Sequence, residues 1–133
     1  MIVGTGVDIV EIERIRGMAG GLKDRFVRRV FTEEEQRFCG ERRDPAPHLA
    51  ARFAAKEAAL KALGTGWARG VSWLDCEVRR KDGEAPVLVL RGEAEKRAAA
   101  LGARRVHLSL THSGSYAVAV VILEAQHGAP RSP

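Results

Sequence analysis

Cysteine is scarce in this chain: Cys39 and Cys76 are the only two among 133 residues. Neither stands in a Cys-x-x-Cys pair or a Cys/His cluster, which excludes a disulfide framework and the ligand spacing of a structural zinc site. Both are expected to be reduced, buried thiols of a cytoplasmic protein. Aromatic residues reach only 5%. A module that stacks RNA or DNA bases on its strands would carry more, and only Trp73 and Tyr116 are candidates here. No apolar run approaches the roughly 18 residues of a membrane span, and no basic-then-apolar leader is seen, so neither a membrane segment nor an export signal is expected. Internal repeats and low-complexity segments are also missing.

Positive charge, by contrast, is in excess. Lysine and arginine number 22 against 17 acidic residues, a formal charge of +5 with a pI near 9.8. Such a balance implies an acidic partner or a polyanionic ligand: nucleic acid, an acidic protein or a phosphorylated cofactor. With 45% hydrophobic residues in 133, the chain suffices for one domain with a real core and is too short for two. The domain is expected over 1–123. The tail, 124–133, has nothing to bury and is expected to be disordered.

The strongest helix signal runs from Arg52 to Leu63, rich in alanine and leucine, with Gly64 where a helix end is expected. On a helical wheel Leu49, Phe53, Leu60 and Leu63 share one side, and Ala51, Ala54, Ala55, Ala58 and Ala62 line the other. A helix apolar on both sides is buried, and its alanine side admits a close neighbour. Glu57 and Lys61, spaced i,i+4, project together between those sides. They form either an intrahelical ion pair or a carboxylate and an ammonium at the mouth of a phosphate site.

Ile2 to Val10 has the composition of a strand, with Gly4 and Gly6 marking a bulge or close approach by another backbone. Asp8 inside it either finds hydrogen-bond donors or binds a cation. Glu11 to Ala19 and Leu22 to Phe31 read as two helices carrying Arg14, Arg16, Lys23, Arg25, Arg28 and Arg29. This is a solvated basic face or a docking surface for an acidic helix, with Met18 and Phe26 as apolar anchors. Thr32 and Glu35 have capping-box spacing and open a helix to about Cys39, followed by a loop from Gly40 to Pro47. Val71 to Arg80 and Pro86 to Leu90 read as a hairpin turning at Asp82-Gly83. A helix over Glu93 to Leu101 and a second hairpin, Val106–His112 with Tyr116–Leu123, complete the domain, the last strand apolar enough to be central. This order predicts an α+β fold, a mostly antiparallel sheet packed on a central buried helix.

Magnesium is held by one or two carboxylates and completes its shell with water and phosphate oxygens, so Asp8 and Glu57 form a candidate pair if their elements pack together. Gly64-Thr65-Gly66 is a helix cap and turn or a phosphate-binding backbone. His112 either donates to a phosphate or satisfies nearby backbone.

Three blocks, Gly6-Val7-Asp8-Ile9-Val10-Glu11-Ile12, Arg52-Phe53-Ala54-Ala55-Lys56-Glu57-Ala58 through Lys61-Ala62-Leu63-Gly64-Thr65-Gly66, and Leu108-Ser109-Leu110-Thr111-His112-Ser113, resemble the motifs of the holo-[acyl-carrier-protein] synthase family in order and spacing. The resemblance implies Mg²⁺-dependent transfer of 4'-phosphopantetheine from coenzyme A to a serine of apo acyl carrier protein, with release of adenosine 3',5'-bisphosphate. By the same resemblance Asp8 and Glu57 bind the metal and Lys61 contacts the phosphates. Arg52, Gly64, Thr65, Gly66 and His112 match positions lining the coenzyme A site, and Arg14, Met18, Arg25 and Phe26 match the surface that docks the acidic carrier. Short members resemble homotrimers with the site between subunits. The residues alone leave a small basic nucleic-acid-binding module as the alternative.

Overall fold

A computed structural model describes residues 1–21, 23–64, 70–81 and 83–126. The order is β1 (Ile2–Glu11), α1 (Ile12–Gly21), α2 (Lys23–Val30), α3 (Glu33–Gly40), α4 (Pro45–Leu63), β2 (Cys76–Arg79), β3 (Val87–Leu90), α5 (Gly92–Ala100), β4 (Ala103–Ser113) and β5 (Tyr116–Ala125). Three strands form an antiparallel sheet in the order β1-β5-β4, and β2 pairs antiparallel with β3 in a separate ribbon. The class is α+β, with the apolar last strand in the middle of the larger sheet as its composition predicts.

Helix α4 lies across that sheet, and its bulky and alanine sides are both buried, as the wheel predicts. The closest approach is on β1. A Cβ added to Gly4 would fall 2.3 Å from the Ala62 carbonyl oxygen, and one on Gly6 would fall 1.9 Å from that of Ala58. Here strand backbone rests directly on helix backbone, which only glycine permits. A register shift between Ile2 and Gly4 supplies the bulge as well.

Two expectations are corrected. Helix α4 begins at Pro45, not after Pro47, because the Asp44 carboxylate accepts the Ala46 N–H and caps the helix. Proline is tolerated in a first turn, whose N–H groups have no helical partner. The strand expected over Val71 to Arg80 is confined to Cys76–Arg79, since Trp73–Asp75 forms a 3-10 turn. Its cause is Asp75, whose carboxylate accepts the Ser72 N–H at 3.1 Å while its own N–H donates to the Ser72 carbonyl at 3.0 Å.

The Thr32 capping box forms as expected: Thr32 Oγ1 accepts the Glu35 N–H and Glu35 accepts that of Thr32. Gly64 takes the left-handed conformation, φ +73°, at the end of α4. Strand β5 extends to Ala125, whose N–H donates to the Met1 carbonyl at 2.8 Å. It thus runs into the stretch expected as tail; residues 127–133 lie outside the described residues, as do Thr65, Gly66 and Asp82.

Candidate active site

Consecutive charges on α4 differ in burial. Lys56 turns inward and is fully buried, with each ammonium proton placed: Glu35 Oε1 at 2.6 Å, the Cys76 carbonyl at 2.7 Å and the Trp73 carbonyl at 3.1 Å. Burial lowers its pKa and Glu35 opposes the shift. Glu35 also accepts the Val78 N–H at 2.8 Å, so this pair fastens α3, α4 and β2 together. The sequence marks Glu35 only as a capping-box residue and Lys56 only as part of a motif, since nothing in it distinguishes a buried charge from a solvated one.

Glu57 is half-buried, and one of its oxygens accepts the indole N–H of Trp73 at 3.3 Å. Lys61 does not pair with Glu57. It reaches across to β1, donating to Asp8 Oδ1 at 3.1 Å and to the Val7 carbonyl at 2.9 Å. The physical reason is the glycine contact, which brings β1 closer to Lys61 than its own helix neighbour is poised to come. Gly4 lies on Ala62 and Gly6 on Ala58. Two residues of strand advance about 6.6 Å and four of helix about 6 Å, so Asp8 falls at the level of the turn holding Ala54 and Glu57. Glu57 and Lys61 share one flank of that contact line. The Asp8–Lys61 pair is open to solvent on the lysine side, with exposures of 18% and 56%. Such a pair contributes about 0 to 1 kcal/mol and yields readily to a stronger ligand.

Glu57 also lines a cavity of about 560 Å³ between α1, α2 and α4. Its walls include Arg14, Met18, Arg25 and Phe26, the four residues matched to a docking surface. Phe26 stacks on Phe53 and Phe53 on Trp73, with centroids 6.1 and 5.9 Å apart, forming the apolar floor. Trp73, a base-stacking candidate on composition, is instead built into this floor beside Glu57.

A second cavity, of about 270 Å³, joins Arg52 and His112 with His48, Arg80 and Thr111. The Arg52 guanidinium lies 4.2 Å over the Phe38 ring, and its Nη1 donates to the His48 carbonyl at 3.3 Å. Its Nε is buried without a partner. Burial lowers the pKa of Arg52, and burial with the Arg52 charge lowers that of His48. A cavity lined by arginines and histidines, with no carboxylate among the described residues of its wall, is suited to an anion. Gly64 lies elsewhere: its N–H already serves the Leu60 and Lys61 carbonyls as a helix cap.

An Asp8–Lys61 ion pair, a basic apolar groove lined by Glu57 and a cavity of arginines and histidines around Arg52, each built with a residue of α4, suit a group-transfer enzyme acting on a polyanionic substrate. Residues 4–121 match the profile of the 4'-phosphopantetheinyl transferase superfamily, to which the chain belongs. It is 51% identical over 124 residues to the holo-[acyl-carrier-protein] synthase of Koribacter versatilis, covering 93% of this chain and 99% of that one. Against the synthase of Anaeromyxobacter dehalogenans the identity is 54% over 127 residues, covering 93% and 97%. Among solved structures, the Neisseria meningitidis synthase superposes with a TM-score of 0.82 at 34% identity, covering 93% and 99%. The Bacillus anthracis synthase in complex with CoA (3',5'-ADP) gives 0.77 at 41%, covering 95% and 99%.

Proposed function

We infer that this chain transfers the 4'-phosphopantetheine group of coenzyme A to a serine of an apo acyl carrier protein, releasing adenosine 3',5'-bisphosphate. Two observations carry the reading: the Asp8–Lys61 pair between β1 and α4, and Glu57 in the wall of a cavity shared with Arg14, Met18, Arg25 and Phe26.

Asp8 and Glu57 would hold Mg²⁺. The donor set fits, because two carboxylates with no third protein ligand are what this ion takes when phosphate oxygens and water complete its shell. Among the described residues no cluster of three potential ligands competes for that role. When bound, the ion neutralises charge on the diphosphate. Lys61, more than half exposed, turns its ammonium to the phosphate oxygens on which charge develops. Arg52 and His112 supply donors for further anionic groups of coenzyme A, the buried Arg52 Nε being one still unused. Gly64, Thr65 and Gly66 are assigned to the same substrate by motif alone. Arg14 and Arg25 meet the acidic carrier while Met18 and Phe26 receive its apolar side chains.

The active unit is a homotrimer with one transferase domain per chain, expected over 1–123 and carried to Ala125 by β5. Support comes from the outer face of the larger sheet, where Val7 and Ile9 are 57% and 62% exposed and Val120 and Tyr116 flank them. A neighbouring copy covering this face would remove it from water. The enzyme belongs in the cytoplasm. Burial pushes the Cys39 thiol up to about 11 and that of Cys76 up to about 12, so both stay reduced and inert there.

Mass spectrometry of apo acyl carrier protein incubated with the protein, coenzyme A and Mg²⁺ tests the reading. A mass gain of one phosphopantetheine is expected. No gain, with nucleic acid retained by the protein instead, would return the basic charge to a nucleic-acid-binding role.

A further inference from the structure

We propose that Trp73 is the positioning residue for Glu57: its indole N–H fixes one carboxylate oxygen and leaves the other available to the divalent cation that Glu57 and Asp8 would hold. The proposal rests on the transferase reading and deepens it.

Trp73 is held against α4 at three points or more, through its backbone, its ring and its N–H. Its carbonyl accepts from the buried Lys56 ammonium at 3.1 Å, its ring packs on Phe53 at 5.9 Å, and its N–H donates to Glu57 Oε1 at 3.3 Å. Lys56 is itself locked by Glu35 at 2.6 Å. A chain of contacts therefore runs from the fully buried Glu35–Lys56 pair, through the backbone and ring of Trp73, to the carboxylate of the residue that follows Lys56. Glutamate reaches its carboxyl through three rotatable bonds, and on a helix bordering an open cavity that group would sample several rotamers. An indole is an N–H donor only, so it accepts nothing from Glu57 and competes for no cation. One oxygen engaged by a neutral donor leaves the full negative charge and the second oxygen for a metal. Partners of this kind fix ligating carboxylates, and their loss commonly weakens metal binding roughly 10- to 100-fold.

The test is Mn²⁺ binding in the presence of coenzyme A and without carrier protein, followed by the EPR signal of free Mn²⁺. Trp73→Phe keeps a ring on Phe53 and deletes the donor. It is expected to raise the Mn²⁺ dissociation constant about tenfold, and Trp73→His, which restores a ring N–H, is expected to recover part of the loss. Equal Mn²⁺ affinity in wild type and Trp73→Phe overturns the proposal while leaving the transferase reading intact. A wild-type protein that binds no Mn²⁺ with coenzyme A overturns both. A second measurement leaves the residue in place. The chain has two tryptophans, so in Trp67→Phe the only indole is that of Trp73. Its fluorescence should be quenched by Mn²⁺ along the same binding curve, and an unchanged emission at saturating Mn²⁺ again overturns the proposal.

Discussion

A lysine that reads as one half of a commonplace helix pair turns out to belong to another element. Lys61 and Glu57 have the spacing for an intrahelical bridge, yet Lys61 donates to Asp8, 53 positions away. Spacing within one helix is legible in a sequence, whereas the reach of a side chain across a glycine-made contact is not. Lys56 shows the same limit from the inside, since its burial against Glu35 depends on where α3 and β2 settle. Breaking that pair strands a carboxylate in the core. Lys56→Met is expected to lower unfolding free energy by about 3 to 5 kcal/mol, measured by urea denaturation. Trp73, a stacking candidate on composition, is engaged instead by Phe53 and Glu57 of α4, which no local signal announces.

Local signals carried the elements well wherever the chemistry was local. The Thr32 box, the Gly64 cap and both hairpins depend on residues a few positions apart and fold as their spacing dictates. The exceptions, Pro45 starting α4 and Asp75 bending the chain ahead of β2, come from single side-chain caps that override composition. The glycines separate two situations. Gly6→Ala would drive a methyl to 1.9 Å from the Ala58 carbonyl oxygen, and thermal denaturation should show a loss of several kcal/mol, on the order of an overpacked core. Gly40→Ala, on α3 with nothing within 4 Å of the added methyl, should instead stabilise by about 0.5 to 1 kcal/mol.

Glu77 ties elements together through charge. It is buried and accepts from Thr32 Oγ1 at 2.5 Å, Arg79 Nε at 2.6 Å and Arg91 Nη2 at 3.1 Å. Burial pushes its pKa up, but the Thr32 hydroxyl and the two arginines outweigh that and hold it below the usual carboxylate value. A depressed folded pKa contributes stability above the unfolded value of about 4.3. That contribution is lost as pH falls through the folded value. The denaturation midpoint should therefore drop on acidification below about pH 4.3, and Glu77→Gln should flatten that part of the profile.

Across the whole molecule, arginines line both the groove beside Glu57 and the cavity around Arg52. If the groove receives the carrier, Arg14→Glu with Arg25→Glu should raise the carrier KM at least tenfold and leave the coenzyme A KM within about twofold, with the wild-type carrier KM rising with salt. If the outer sheet face joins copies of the chain, Ile9→Asp should shift sedimentation from trimer to monomer and remove most activity.

The pairing of β1 with β5 has a consequence for synthesis. Strand β1 has its hydrogen-bonding neighbour far along the chain, Ile2 opposite Glu124 and Glu11 opposite Tyr116. Until translation passes that point, β1 and β4 have no strand between them, and α4 has no complete layer to lie on. Folding of this domain is thereby deferred until β5 has been made, and a nascent chain halted before Tyr116 should remain protease-sensitive however long it waits.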